Sequence, residues 1–142
     1  MEAYLKITGK GQAIEINEKN IVDIEYIVET PDDSNARSTD VTYKLLVSGL
    51  IIPEIGGSSG EKVKDLEQWS RVQHGVDLYR EVEAGYTAEG FTMRKYKFNK
   101  GFIQDYREDY DDQNGTGKFF VEICQKKDHN KFVKVEGGFL NQ

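Results

Sequence analysis

One cysteine, Cys124, stands in a chain of 142 residues. A lone thiol closes no internal disulfide and supplies no thiolate metal site from one chain. That fits folding in a reducing compartment. The opening MEAYLKITGKG has no basic start followed by an apolar stretch, so no signal peptide is expected. The longest apolar run, near LLVSGLII, is far shorter than a membrane span. There are 19 basic and 25 acidic residues, a formal net charge of -6, and the two signs interleave along most of the chain. No basic patch gathers, and the aromatics are not flanked by lysine and arginine clusters. That argues against nucleic acid as the main partner, because phosphate neutralisation needs concentrated positive charge.

What is present reads mostly as strand. Residues 3–8 alternate loosely, and Ile14 and Ile16 share a face of 12–17. Over 21–30, Val22, Ile24, Tyr26 and Val28 share one face and Asp23, Glu25 and Glu29 the other, the period of a half-buried strand. Val41, Tyr43, Leu45 and Val47 align over 41–49. Between these strands, TPDDSNARSTD (Thr30 to Asp40) is rich in turn formers and has no apolar residue larger than alanine. It predicts a long exposed loop, and loops of that length inside a compact domain are often functional. One helix is expected within 56–75. Ser58 and Glu61 have capping-box spacing, Gly75 can end the last turn, and Val63, Leu66 and Trp69 lie on one face. Trp69 reads as a core anchor between helix and sheet. Further strands are read at 76–85, 90–98 and 131–139. The sum is one domain, residues 1–142, of about eight or nine strands with one helix, a barrel or sandwich.

Chemistry is sought first in DYREDYDDQNGTGKFFVEICQKKD, Asp105 to Asp128. A calcium loop started at Asp109 finds Asp111 and Gln113, then Asn114 where glycine is needed and Phe120 where glutamate is needed. The pattern fails. Strict alternation instead puts Phe102, Gln104, Tyr106, Glu108 and Tyr110 on one face, and Ile103, Asp105, Arg107 and Asp109 on the other. With a turn at Asn114–Gly115, this is an antiparallel hairpin. Lys126 and Lys127 are then expected across from Asp105 and Glu108. A catalytic pair drawn from Asp105, Glu108 and Asp109 is poorly placed, since Glu108 faces away from the other two. His74 and His129 have no serine or cysteine partner evident in the sequence, and no HExxH helix exists. Cys124 alternates with apolar residues and reads as packing. GKGQ and GGSSGEK match neither nucleotide-binding glycine pattern. No catalytic, cofactor-binding or metal residue is assigned. A binding module remains an alternative, a monomeric barrel holding a small ligand, peptide or carbohydrate against Tyr79, Tyr86 or Tyr96.

Three stretches carry a family resemblance: AYLKITGKGQAIEI, IEYIVETPDDSNARSTDVTYKLLVSG, and YKFNKGFIQDYREDYDDQNGTGKFFVEICQKKD. Together the layout resembles the Hcp family, the tube protein of type VI secretion systems, and its phage-tail-tube relatives. The middle segment, 49–85, matches only in plan, as a helix between strands. The resemblance implies a mainly β fold, an antiparallel barrel of two sheets with one flanking helix. It implies hexameric rings of identical subunits that stack into a tube, with sheath, spike or effector proteins as further partners and no catalysis. The loop of Pro31, Asp32, Asp33, Ser34, Asn35, Ala36, Arg37, Ser38 and Thr39 would then reach a neighbouring subunit or ring. Assembly would be cytoplasmic, with any export independent of a signal peptide, and without nucleic acid or membrane insertion.

Overall fold

The computed structural model describes residues 2–9, 11–32, 35, 40–51, 59–89, 91–113 and 115–137. Alternating apolar residues build eight strands: β1 (Glu2–Gly9), β2 (Gln12–Ile16), β3 (Ile21–Glu29), β4 (Thr42–Ile51), β5 (Arg80–Ala88), β6 (Phe91–Asp111), β7 (Thr116–Gln125) and β8 (Lys134–Glu136). The helix α1 (Ser59–Ser70) lies between β4 and β5, and a 3-10 turn (Lys127–Phe132) precedes β8. Among the described residues the chain is mainly β with a helix between β4 and β5, as expected. The strands form one antiparallel sheet rather than two, in the order β2-β1-β5-β6-β7-β4-β3, with β8 added to β6. Its end strands, β2 and β3, share no ladder.

The sheet curls so that one face and α1 enclose a single core. Leu5 and Ile7, Ile14 and Ile16, Leu45 and Val47, and Phe119, Val121 and Ile123 all point into it. Val63, Leu66 and Trp69 of α1 close it, as their spacing predicts. The helix is shorter than expected. Gly75, at φ 99°, sits in a later turn where Leu78 N–H donates to the Gly75 carbonyl at 3.3 Å. Ser58 lies outside the described residues.

β6 departs most from its expected form. It runs 21 residues without a break, where two separate segments were expected. Three bulges reset its alternation, the first at Met93, which is extra because Thr92 pairs with Thr87 and Arg94 with Tyr86. Asn99 and Lys100 together face only Glu81, because Phe98 pairs with Val82 and Gly101 with Arg80. Gln104 is then extra, because Ile103 pairs with Ile123 and Asp105 with Glu122. Each extra residue flips the side chains that follow. The core-facing positions therefore run Phe98, Ile103, Tyr106. Phe102 lies opposite Cys124, not on the face of Tyr106 and Tyr110. The expected cross-strand lysines are also corrected, since Asp105 faces Glu122 and Glu108 faces Phe119. Lys126 instead lies over the Tyr79 ring, 5.1 Å from its centroid, and 3.4 Å from Asp128. Asn114 lies outside the described residues. Beside it Gly115 has φ 65° and donates to the Asp111 carbonyl at 2.9 Å, the left-handed residue the hairpin turn needs.

Candidate functional site

The hairpin loop is framed by its strands. β3 and β4 pair as far as Glu29 and Thr42, so residues 30–41 connect them. At its base Lys44 Nζ lies 2.7 Å from Glu29 and 4.0 Å from Glu122, and Asn130 Nδ2 donates to the Val41 carbonyl at 2.8 Å. The Glu29 contact outweighs desolvation and raises the Lys44 pKa. Pro31, Asp32 and Asn35 are exposed. Asp33, Ser34, Ala36, Arg37, Ser38 and Thr39 lie outside the described residues.

The three tyrosines suggested for a ligand cleft are not brought together. Tyr86 and Tyr96 close the open seam of the sheet. The Tyr86 hydroxyl accepts from Ile24 N–H at 2.8 Å and donates to the Ile24 carbonyl at 2.9 Å. One phenol thus replaces the missing strand partner of β3 at that position. Tyr96 stacks on Tyr26 with ring centroids 4.6 Å apart. Tyr79 lies elsewhere, edge-on to Phe102, in an outer groove of about 500 Å³ shared with Lys126.

The acidic stretch splits between two faces. Asp105 lies 3.8 Å from Arg107, whose guanidinium covers the Phe120 ring at 4.6 Å. Glu108, on the other face, accepts from the Tyr106 hydroxyl at 2.6 Å and the Tyr110 hydroxyl at 3.4 Å. Burial, then the Glu108 hydrogen bond, raise the Tyr106 pKa well above the usual phenol range. Among the described residues no three His, Cys, Asp or Glu side chains are grouped to hold a metal. Among them, too, no helix is long and apolar enough to cross a membrane.

One polar cluster had no signal in the sequence. Gln125 is buried, 1% exposed. Its Oε1 accepts from Lys100 N–H at 3.1 Å, and its Nε2 donates to Asn99 Oδ1 and to the His129 carbonyl. The His129 ring in turn lies 3.4 Å from Asn99. These bonds fasten the 3-10 turn to the bulge of β6, and buried amides satisfied in this way stabilise rather than cost. His74 is exposed.

Cys124 is buried, as its alternation predicts. Burial pushes its thiol from about 9 up to about 11, with Glu122 adding and Lys44 opposing. Between those values the folded chain keeps a proton that the unfolded chain releases, so stability falls as pH rises through this range. The urea midpoint should drop between about pH 9 and pH 11, and drop less for Cys124→Ala. An equal drop in Cys124→Ala would leave the thiol no part in it.

No protein-family model matches this sequence, and no curated protein matches it. The fold does have solved counterparts. Hcp1 from Flavobacterium johnsoniae superposes with a TM-score of 0.56 at 14% identity, covering 95% of this chain and 96% of that one. A mutant Hcp1 from the E. coli EAEC 042 pathovar gives 0.55 at 14%, covering 97% and 99%. A chain of the anti-feeding prophage baseplate gives 0.53 at 10%, covering 95% and 92%. In each case the likeness covers more than nine-tenths of both chains. In fold, this chain is an Hcp-like protein.

Proposed function

We propose that this chain is a structural ring subunit, without catalytic activity, that stacks into the inner tube of a type VI-like or phage-tail-like contractile injection system. The observation that carries the reading is the end-to-end likeness to Hcp1 structures, with about 5% or less of either chain left over. The same reading includes self-association as a ring of six, and contacts with sheath, spike or effector proteins. Assembly in the cytoplasm, with export that needs no signal peptide, belongs to the same reading. The small-ligand alternative has less support, because Tyr86 and Tyr96 are engaged in the seam.

Light scattering after size exclusion, with negative-stain microscopy, tests the reading. Rings of uniform size are expected, and a strict monomer at high concentration would count against it. The loop from Pro31 to Thr39 is proposed as the stacking contact. Deleting Asp32 to Ser38 should weaken stacking at least about tenfold while the melting temperature holds, since loop trimming costs the fold little. Stacking that survives the deletion removes the loop from this role.

A further inference from the structure

A row of charges crosses the outer face of the sheet, each directly opposite the next: Glu15 on β2, Lys6 on β1, Glu83 on β5, Lys97 on β6 and Lys134 on β8. The first four alternate in sign. Lys6 lies 3.9 Å from Glu15, and Lys97 lies 3.8 Å from Glu83. Glu83 also accepts the Tyr4 hydroxyl at 2.9 Å. The fifth breaks the pattern, because Lys134 faces Lys97 and like charges so placed repel. The carboxylate nearest in sequence, Glu136, is turned to Lys95 at 4.0 Å instead. Lys6, Lys97, Asn99, Phe132 and Lys134 line a groove of about 340 Å³, with Glu81 and Glu83 also in its wall, the latter engaged by Lys97 and Tyr4. Phe132 is 44% exposed there. Lysines beside an open aromatic ring suit a partner that brings carboxylates and an apolar ring.

The chain presents such a surface at its other end. β6 is polarised along its length. Its first half carries Arg94, Lys95, Lys97 and Lys100 and no acid, and its second half carries Asp105, Glu108, Asp109 and Asp111 against Arg107 alone. Asp112 continues the acidic run into the turn, and Tyr110 is 61% exposed. Lys97 and Asp109 sit on one continuous strand, roughly 40 Å apart. The acidic end therefore cannot fold back onto the groove of its own chain.

We infer that this groove docks the acidic β6–β7 end of a second copy, whose carboxylates complete the charge row at Lys134. The contact joins two different surfaces, so it propagates head to tail rather than closing a symmetric pair. It rests on the tube reading and gives that tube a polarity.

The test compares wild type with Lys97→Glu/Lys134→Glu and with Asp109→Lys/Asp112→Lys, by sedimentation velocity at low and high salt. These four side chains lie on the surface or its margin, and circular dichroism checks each fold. Wild-type association should weaken with salt, and each variant alone should associate at least about tenfold more weakly. Mixed one to one, the two variants should associate again, because the acidic end of the first meets the unchanged lysine groove of the second, and the reversed end of the second meets the reversed groove of the first. If either variant fails to fold, Lys134→Gln must still weaken association. Variants that assemble like wild type, insensitive to salt, overturn the docking contact and leave the tube reading standing. A wild-type chain that stays monomeric at every salt concentration overturns both.

Discussion

Trp69→Ala is expected to lower the unfolding free energy by about 3–5 kcal/mol, the range for removing a large buried aromatic. The ring is 2% exposed and stands between α1 and the start of β5. Its indole N–H donates to the Leu78 carbonyl at 3.0 Å. The Arg80 guanidinium lies over its face, 5.1 Å from the centroid, and donates to the Asp77 carbonyl and Gln12 Oε1, both at 3.2 Å. Arg80 is itself only 8% exposed, and burial lowers its pKa. Truncation thus opens a cavity, strips a buried cation of its aromatic cover and leaves a carbonyl without its donor. Trp69→Phe keeps a ring and loses the donor, so it should cost less, about 1–3 kcal/mol. Urea unfolding of both variants checks the ranking. A Trp69→Ala chain within 1 kcal/mol of wild type would mean that the helix is not docked through this residue.

Gly49→Ala is expected to be about as damaging for the opposite reason, with a cost above about 3 kcal/mol. A Cβ at Gly49 would lie 2.0 Å from the Asn20 carbonyl oxygen and 2.7 Å from a Phe119 ring carbon. The oxygen belongs to the backbone and cannot rotate away. It also accepts from Leu50 N–H at 2.6 Å, while Asn20 Nδ2 donates to the Leu50 carbonyl at 3.0 Å. These two bonds dock the β2–β3 turn onto β4, and a methyl at Gly49 wedges them apart. Asn20→Ala breaks the same dock from the other side, at about 1–3 kcal/mol. The double variant should cost less than the sum, because both changes destroy one contact. Strict additivity would show that the wedge acts elsewhere.

Much of the fold was legible from residue spacing. Ile24, Leu45 and Val47 lie where a period of two puts them, and Val63, Leu66 and Trp69 where a helical period does. What stayed hidden was non-local or arose from a single inserted residue. Gln104 looks like any polar strand residue, yet its bulge moves Phe102 to the far face and shifts every later partner of β6. Whether the strands make one sheet or two depends on partners distant in sequence, which alternation does not encode. For the candidate site, composition marks the stretch between β3 and β4 and assigns it no role. The loop announces itself by composition, and its frame at Glu29 and Lys44 was visible only once β3 and β4 were paired. The Gln125 cluster joins residues about 26 apart in sequence, and no local pattern marks such a bond.

The phenol of Tyr86 has a consequence for the geometry of the whole chain. In a barrel closed by a ladder, strand number and stagger fix the diameter, and the diameter can change only by whole steps of register. Here the two end strands share no ladder. The seam is held by a hydroxyl, which swivels, and by a stacked pair of rings, which slide. The circumference is therefore continuously adjustable. Small changes of curvature can then be taken up at this seam without breaking a strand-to-strand hydrogen bond.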